Sequence, residues 1–354
     1  MTQITPPPQP LKKRNSSVEL YRIIATFTVL IVHFNGWFVG GMPEQYDISN
    51  PTFFRTGQMV IEAATCICVN MFIIISGYYR IKLRLSSVVQ LSVKLLFIFV
   101  PIYIVYSVLY GRFSLLKFIW EFFIISRAGW FIQCYVMLML LSPLLNSFVE
   151  NYSRKILSWS ITLLLMEFWF GCLMCEQLGL ENSFSFNKGY SVIHFVLIYM
   201  IGRCIYIYQD DLKKISKHIW MPLWIACTIA ICLMHILGLK FVWDYSNPIV
   251  VISTIFSFIP FLYKEFYNEK INWLAKSTLA VYIIHSDTPV VDFLMMIDNQ
   301  LLADYNYLQY LFLASAVIIA VFFFCVAYDK ICDIIIKPIM KSIVPLLNGK
   351  FEFQ

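Results

Sequence analysis

Runs of about twenty apolar residues recur along nearly the whole chain, and this pattern limits the possible fold more than any other feature. An α-helix needs about 20 predominantly apolar residues to cross the hydrocarbon core of a bilayer. The chain is 60% hydrophobic and only 14% charged, whereas a soluble globular chain is about half apolar and about a quarter charged. The sequence therefore predicts an integral membrane protein rather than a soluble domain with a large core.

Measured against that length, the runs predict an all-α bundle of ten transmembrane helices. The first run is about 20 residues long, longer than the 7–15 apolar residues of a signal peptide, so we expect it to be retained as a helix. We expect residues 1–17 to form a cytoplasmic Pro-rich tail, 18–328 the membrane domain, and 329–354 a cytoplasmic basic, amphipathic tail. The predicted spans are 18–39, 58–79, 91–110, 130–149, 156–175, 190–208, 219–239, 246–263, 277–297 and 307–328.

The distribution of lysine and arginine predicts the orientation of these spans. With the N-terminus in the cytoplasm, 18 of the 27 basic residues fall in cytoplasmic segments and 6 in outer loops. An excess of basic residues in cytoplasmic loops is typical of membrane proteins. The count therefore predicts that both termini lie in the cytoplasm. We expect a multi-pass protein of the cell (inner or plasma) membrane.

Other sequence features exclude several classes of function. The net charge of +6 does not indicate nucleic-acid binding, because the basic residues lie between apolar runs. No pair among the ten cysteines has the flanking spacing of a zinc site, so we expect no metal. The sequence has no GxSxG, HExxH or P-loop motif, which argues against hydrolases, metalloproteases and ATP-driven pumps of those types.

The first span contains the ionisable residues Arg22 and His33. They are eleven residues apart, close to three helical turns, so both project from one face about 16 Å apart. Glu19 precedes Arg22 by three residues and can pair with it. Ionisable residues inside a bilayer face the bundle interior and are functional candidates. A snorkelling arginine and a histidine bonded to a neighbouring helix are the alternative.

A second cluster of basic residues follows the second span. It consists of Arg80, Lys82, Arg84 and Lys94, at the cytoplasmic mouth of the predicted bundle. Such a cluster can simply reflect the excess of basic residues in cytoplasmic loops. It can also hold the phosphates of a cytoplasmic nucleotide.

Polar and aromatic residues between the middle and the outer ends of the spans are candidates for an acceptor site or for its support. His285 and Tyr282 lie three residues apart on one face of the ninth span, and we expect His285 to orient or pack rather than to react. Asn35 follows His33, and Trp130 and Tyr135 lie at the start of the fourth span. Glu62, Glu167 and His194 could also line an outward-facing acceptor site.

Four segments in order resemble the acyltransferase-3 family, membrane O-acyltransferases that modify cell-surface sugars. The segments are "SSVELYRIIATFTVLIVHF", "MFIIISGYYR", "GWFIQCYVMLMLLSPLLN" and "STLAVYIIH". The first resembles the family hallmark of a basic residue, ten residues and then histidine, which Arg22 and His33 match. The resemblance extends from about Ser16 to Tyr328 and indicates the family rather than a substrate.

The resemblance implies a ten-helix acyltransferase whose donor is cytoplasmic acetyl-CoA. The acceptor would be a hydroxyl group of a glycan or lipid-linked sugar. His33 matches the family's catalytic histidine and Arg22 its basic partner. Many members have paired arginines before the third span, where this chain has Lys94 and the earlier Arg80, Lys82 and Arg84. The acyl group could also be succinyl or longer.

Two other functions remain open at this level. A proton-coupled exporter or flippase of a glycan precursor would also have titratable residues in ten spans, although no internal repeat and no pair of broken helices is evident. A membrane-assembly protein without catalysis is the third possibility. Only the enzyme requires both Arg22 and His33 for transfer of an acyl group.

Overall fold

The computed structural model describes residues 14–123, 129–181 and 186–348. The Pro-rich segment up to residue 13, including Lys12 and Lys13, lies outside the described residues, as do Arg127 and Lys350. All regular secondary structure in the described residues is helical, which confirms the predicted all-α class.

The described part of the chain contains fifteen α-helices. A π-helix, Glu167–Gln177, continues directly from α7. The α-helices are α1 (Ser16–Asn35), α2 (Phe53–Thr65), α3 (Cys68–Tyr79), α4 (Leu85–Tyr110), α5 (Leu115–Trp120), α6 (Gly129–Asn151), α7 (Ile156–Met166), α8 (Val192–Ile207), α9 (Gln209–Leu212), α10 (Trp220–Ile236), α11 (Pro248–Phe258), α12 (Glu269–Ala275), α13 (Thr278–His285), α14 (Thr288–Asp304) and α15 (Tyr307–Asn348).

The ten predicted membrane-spanning helices are not all confirmed by the described residues. Seven helical stretches of the described residues are long and apolar enough, and a bent pair makes eight. The predicted spans 190–208 and 246–263 correspond to shorter apolar helices, Val192–Ile207 and Pro248–Leu262. At about 1.5 Å per residue, each is shorter than the roughly 30 Å of a hydrocarbon core. The multi-pass membrane architecture is confirmed, whereas the count of ten is not confirmed.

The predicted ninth span, 277–297, is broken rather than continuous. The helices on either side of Ser286 and Asp287 form an angle of 82°. Asp287 is extended, and Pro289 lies in the first turn of α14, where proline is tolerated because its missing N–H has no partner there. One broken helix is thus present where hydropathy predicted a continuous span. The break places His285 at the last turn of α13.

The last helix continues past the predicted end of the tenth span. α15 runs for 42 residues and includes most of the predicted basic tail. Cys332, Ile336 and Met340 pack against Val89 and Val93 of α4, so this extension is held by an apolar contact. The segment 329–348 is therefore a helical continuation of the bundle.

The centre of the bundle is the close crossing of α3 and α8. Gly77 lies against the backbone carbonyl of Tyr199, and Gly202 lies against the carbonyl of Ile74. A Cβ atom on Gly202 would lie 2.8 Å from the backbone nitrogen of Tyr78, closer than real Cβ contacts. Small residues allow helix backbones to approach in this way. The crossing therefore needs glycine on both helices.

We expect Gly202→Ala to lower the free energy of unfolding by about 1–3 kcal/mol, the usual cost of overpacking a core. At an open helical position the same change would stabilise by about 0.5–1 kcal/mol, so the sign is informative. Denaturant unfolding of the purified protein in detergent measures the effect. Ser76→Ala, on α3 beside the crossing, is the control and should change stability little, because the Ser76 hydroxyl donates to the carbonyl of Phe72 within the same helix and its contact with another helix, to the Tyr135 hydroxyl, is long at 3.4 Å. A stability gain for Gly202→Ala would contradict the close crossing.

The first helix is anchored at its N-terminal end by α12 and the segment before it. The Ser16 hydroxyl donates to Oδ1 of Asn272 at 2.9 Å and accepts from the backbone nitrogen of Asn268 at 2.7 Å. The Ser17 hydroxyl donates to the carbonyl of Phe261 at 2.7 Å. These bonds fix the turn of α1 that carries Glu19 and Arg22.

The C-terminal end of α1 is anchored by other helices. The Gln58 side chain donates to the carbonyl of Asn35 at 2.7 Å, and Asn35 donates to Oε2 of Glu62 at 2.8 Å. The Tyr310 hydroxyl lies 3.3 Å from the carbonyl of Phe34. Because buried carbonyls need such partners, these contacts hold the turn that carries His33.

Candidate functional site

A polar cavity of about 800 Å³ lies around the N-terminal part of α1, and we name it the basic cavity. Five cationic side chains and three carboxylates line it, together with tyrosines and amides. A cavity with this excess of positive charge suits an anionic ligand. The lining residues are Arg14, Asn15, Glu19, Arg22, Tyr78, Tyr79, Arg80, Lys82, Arg203, Tyr206, Gln209, Asp210 and Glu265.

The sequence-predicted pair of Glu19 and Arg22 is formed in this cavity. Nη1 of Arg22 donates to Oε2 of Glu19 at 2.8 Å, and Nη1 of Arg14 lies 3.6 Å from the other carboxylate oxygen. The Glu19 side chain is 8% exposed and that of Arg22 is 28% exposed. The carboxylate therefore sits between two guanidinium groups and orients the more buried one, leaving the remaining donors of Arg22 for a ligand.

Arg203 is a cavity residue to which the sequence analysis assigned no role. Its Nη1 donates to the carbonyl of Tyr78 at 3.1 Å, and its guanidinium lies 4.7 Å from the ring centre of Tyr206. It thereby caps the C-terminal end of α3, whose last carbonyls lack partners within the helix. Its position inside an apolar run was the available signal, because a charge there must face the protein interior.

The structure divides the predicted basic cluster. Arg80 and Lys82 line the basic cavity, whereas Arg84 and Lys94 are not among its lining residues. Nζ of Lys94 pairs with Oδ1 of Asp329 at 2.6 Å, and the Asp329 side chain is 1% exposed. Lys94 thus joins α4 to α15. Its predicted contact with the donor stays a prediction that the geometry does not support.

A second cavity, of about 240 Å³, lies at the other end of α1, and we name it the histidine cavity. His33 lines it together with four aromatic residues and with the polar residues of the broken ninth span. The lining residues are His33, Trp37, Phe99, Gly129, Trp130, Tyr282, Ile283, Ser286, Asp287 and Thr288.

His33 and His285 form a direct hydrogen bond. Nδ1 of His33 and Nε2 of His285 are 3.1 Å apart, and Nδ1 of His285 lies 2.6 Å from the carbonyl of Val281. A carbonyl can only accept, so the proton of neutral His285 is on Nδ1 and its Nε2 carries a lone pair. His33 must then donate through Nδ1.

This chain of bonds determines which nitrogen of His33 is basic. With its proton on Nδ1, neutral His33 keeps its lone pair on Nε2. That nitrogen makes no hydrogen bond to the part of the chain that the structure describes, and the ring borders the histidine cavity. The Trp37 ring packs edge-on against His33 at 4.9 Å. His285 therefore orients His33 and leaves a free base at the cavity.

The remaining predicted residues fall into two groups. Trp130 and Tyr282 line the histidine cavity. Asn35 and Tyr135 line neither cavity: Asn35 bonds Gln58 and Glu62, and the Tyr135 ring stacks on that of Phe131 at 6.1 Å. Asn35 supports the end of α1, and Tyr135 contributes to packing beside the site.

Glu62, Glu167 and His194 do not line the histidine cavity. All three are buried, and Glu167 bonds His194 instead of facing an opening. No group of three potential metal ligands occurs in the residues that the structure describes.

The chain matches one family model, which is described as an acyltransferase domain of the Acyl_transf_3 type. The match covers residues 15–330, which include every lining residue of the two cavities except Arg14 and every helix from α1 to the middle of α15. No curated protein and no solved structure matches the chain.

Proposed function

Since the chain belongs to the acyltransferase-3 family and is a multi-pass membrane acyltransferase, we propose that it transfers an acetyl group from acetyl-CoA to a hydroxyl group of a cell-surface glycan or lipid-linked sugar. The observation that carries this proposal is the placement of the two cavities. A cationic cavity that contains Arg22 and a cavity with a free histidine nitrogen lie on the same helix, eleven residues apart.

The basic cavity is the proposed donor entrance. Acetyl-CoA carries a pyrophosphate and a further phosphate, and guanidinium groups bind phosphates through two parallel hydrogen bonds. These phosphates would contact Arg22, Arg80 and Lys82, and the adenine ring of acetyl-CoA would lie beside the tyrosine rings of the cavity. The acyl end of acetyl-CoA would extend along α1, where a rise of about 1.5 Å per residue separates Arg22 from His33 by about 16 Å.

His33 is the proposed general base. Nε2 of His33 would take the proton from the acceptor hydroxyl as its oxygen bonds to the thioester carbonyl carbon. The carbon–sulfur bond then breaks, and the proton passes to the departing CoA thiolate. A positioned base contributes about 10²- to 10⁴-fold to such a reaction. His285 keeps Nδ1 of His33 engaged, so the free nitrogen is the one at the cavity.

The histidine cavity is the proposed acceptor site. The rings of Trp37 and Trp130 and the polar groups of Ser286 and Thr288 surround it. Indole rings offer apolar faces to a sugar ring, and hydroxyl groups offer hydrogen bonds to its substituents. We infer that the basic cavity faces the cytoplasm of the cell and that the acceptor approaches from the opposite side.

Incubation of membranes that contain the protein with acetyl-CoA labelled in the acetyl group tests the proposal. We expect alkali-labile label to enter the glycan or lipid-linked sugar fraction, with release of one CoA thiol per acetyl group. Membranes without the protein are the control. Movement of a sugar lipid across the membrane without gain of an acetyl group would instead indicate the flippase.

A further inference from the structure

A buried chain of three polar residues joins α3, α8 and the start of the π-helix. Nδ1 of His194 lies 2.8 Å from Oε2 of Glu167, and Nε2 of His194 lies 2.8 Å from Oδ1 of Asn70. All three side chains are 0% exposed. The proposed acyl transfer uses none of them. π-Helical segments are often associated with functional sites, and Glu167 is the first residue of this one.

The hydrogen-bond partners of Asn70, His194 and Glu167 determine where the protons of these three side chains lie. Nδ2 of Asn70 donates to the carbonyl of Tyr245 at 3.0 Å, so Oδ1 of Asn70 must accept from Nε2 of His194. A further proton must lie between Nδ1 of His194 and Glu167, because two lone pairs cannot face each other at 2.8 Å. The histidine and the carboxyl group together are therefore uncharged, as burial requires.

Through Tyr245, Asn70 contacts a group of aromatic rings beside the histidine cavity, formed by Trp130, Tyr190 and Tyr245. Tyr245, whose carbonyl Asn70 binds, stacks its ring near that of Trp130, with ring centres 6.0 Å apart. The Tyr190 ring contacts both, at 4.4 Å from Trp130 and 5.1 Å from Tyr245. Trp130 lines the histidine cavity. Asn70 thus connects the buried histidine to a residue of the proposed acceptor site.

The backbone at Gly189 lies close to both Tyr245 and His194. Gly189 has a positive φ of 87°, and a Cβ atom there would lie 2.7 Å from Cβ of Tyr245. The same atom would lie 3.2 Å from Cδ2 of His194. The carbonyl of the preceding Lys188 accepts from the nitrogen of Tyr245 at 3.0 Å. The turn at Lys188 and Gly189 is therefore packed against both Tyr245 and His194.

We propose that Glu167, His194 and Asn70 are positioning residues that hold Trp130 against the acceptor side of the histidine cavity. This proposal rests on the proposed function, because it assigns the acceptor to that cavity. Loss of the hydrogen bonds among these three residues should impair use of the acceptor. It should leave donor binding unchanged, since Arg22 and its neighbours lie at the other end of α1.

The first test compares two substitutions of Glu167 in the membrane assay with labelled acetyl-CoA. Glutamine can donate to Nδ1 of neutral His194, so Glu167→Gln keeps the hydrogen bond to His194, whereas Glu167→Ala removes it. We expect Glu167→Ala to lower the rate at saturating acetyl-CoA at least tenfold with an unchanged KM for acetyl-CoA. Glu167→Gln should stay within about twofold of the unchanged protein. Equal losses in both variants, or a raised KM for acetyl-CoA, would overturn the proposal.

The second test follows Trp130 directly and does not require activity. The purified full chain is labelled with 5-fluorotryptophan, and the ¹⁹F resonance of Trp130 is assigned through Trp130→Phe. We expect it to shift in Glu167→Ala and in Asn70→Asp, a change of nearly equal size whose carboxylate cannot donate to Tyr245. It should not shift in Glu167→Gln, and the exposed Trp159 should not respond in any variant.

The two tests separate the two proposals. An unchanged Trp130 resonance in both Glu167→Ala and Asn70→Asp would overturn the positioning role. If the unchanged protein transfers no acetyl group while the Trp130 resonance shifts as expected, the proposed function fails and the structural link stands. Because Asn70→Asp keeps the size of the side chain, it serves where Glu167→Ala does not fold.

Discussion

His33→Gln should lower the rate of acetyl transfer by about 10²- to 10⁴-fold, the contribution of a positioned general base. Glutamine can still donate to Nε2 of His285 and fill much of the same space, but it has no nitrogen that can take a proton at neutral pH. The KM for acetyl-CoA should change little, because the basic cavity lies about 16 Å away along α1. Initial rates with labelled acetyl-CoA measure both quantities.

The matched control for this substitution is His218→Gln. His218 is an exposed residue in the turn before α10 and contacts neither cavity. The His218→Gln variant should leave the rate of transfer and the KM for acetyl-CoA unchanged. His285→Ala removes the partner of His33 but leaves the base, and so it should reduce the rate less than His33→Gln. A larger loss for His285→Ala would make His285 the base instead.

The helices were predictable because their signal is local. A run of about twenty apolar residues specifies a membrane helix through its own composition, and seven such stretches occur in the described residues. The count of ten is not confirmed where tertiary context decides the length of a helix. Most residues of the 16-residue helix Val192–Ile207 are buried inside the bundle, so its apolar side chains face protein. Hydropathy does not distinguish contact with protein from contact with lipid.

The broken ninth span had a sequence signal that hydropathy concealed. "HSDTPVV" contains a short polar segment and a proline at the position favoured in the first turn of a helix. The flanking apolar residues joined both sides into one predicted span. The break matters for the site, because Ser286, Asp287 and Thr288 line the histidine cavity.

Within the site, residues on one helix were predictable and contacts between helices were not. Helical periodicity placed Arg22 and His33 on α1 at a known separation. The bond between His33 and His285 joins residues 252 positions apart, and no local pattern encodes it. The same limit applies to Lys94, which resembled the neighbouring basic residues until its partner Asp329 was known.

Arg22→Ala should raise the KM for acetyl-CoA by about tenfold to a hundredfold. A hydrogen bond to a charged group contributes about 1.5–3 kcal/mol, and each 1.4 kcal/mol corresponds to about a tenfold change in affinity. The rate at saturating donor should fall much less, because His33 and His285 lie at the other end of α1. Initial rates over a range of acetyl-CoA concentrations separate the two quantities.

Two further variants distinguish loss of a direct contact with the donor from a change in the surrounding charge. Among the described residues, Arg22→Ala leaves the buried Glu19 with Arg14, 3.6 Å away, as its cationic partner, and this carboxylate would itself repel the donor phosphates. Arg22→Ala combined with Glu19→Gln removes that charge, and most of the rise in KM should remain. Arg84→Ala removes a nearby positive charge that does not line the basic cavity, so its KM should stay within about twofold of the unchanged protein. If Arg84→Ala raised the KM as much as Arg22→Ala, general attraction rather than contact in the basic cavity would explain donor binding, because long-range attraction does not depend on which cation is removed.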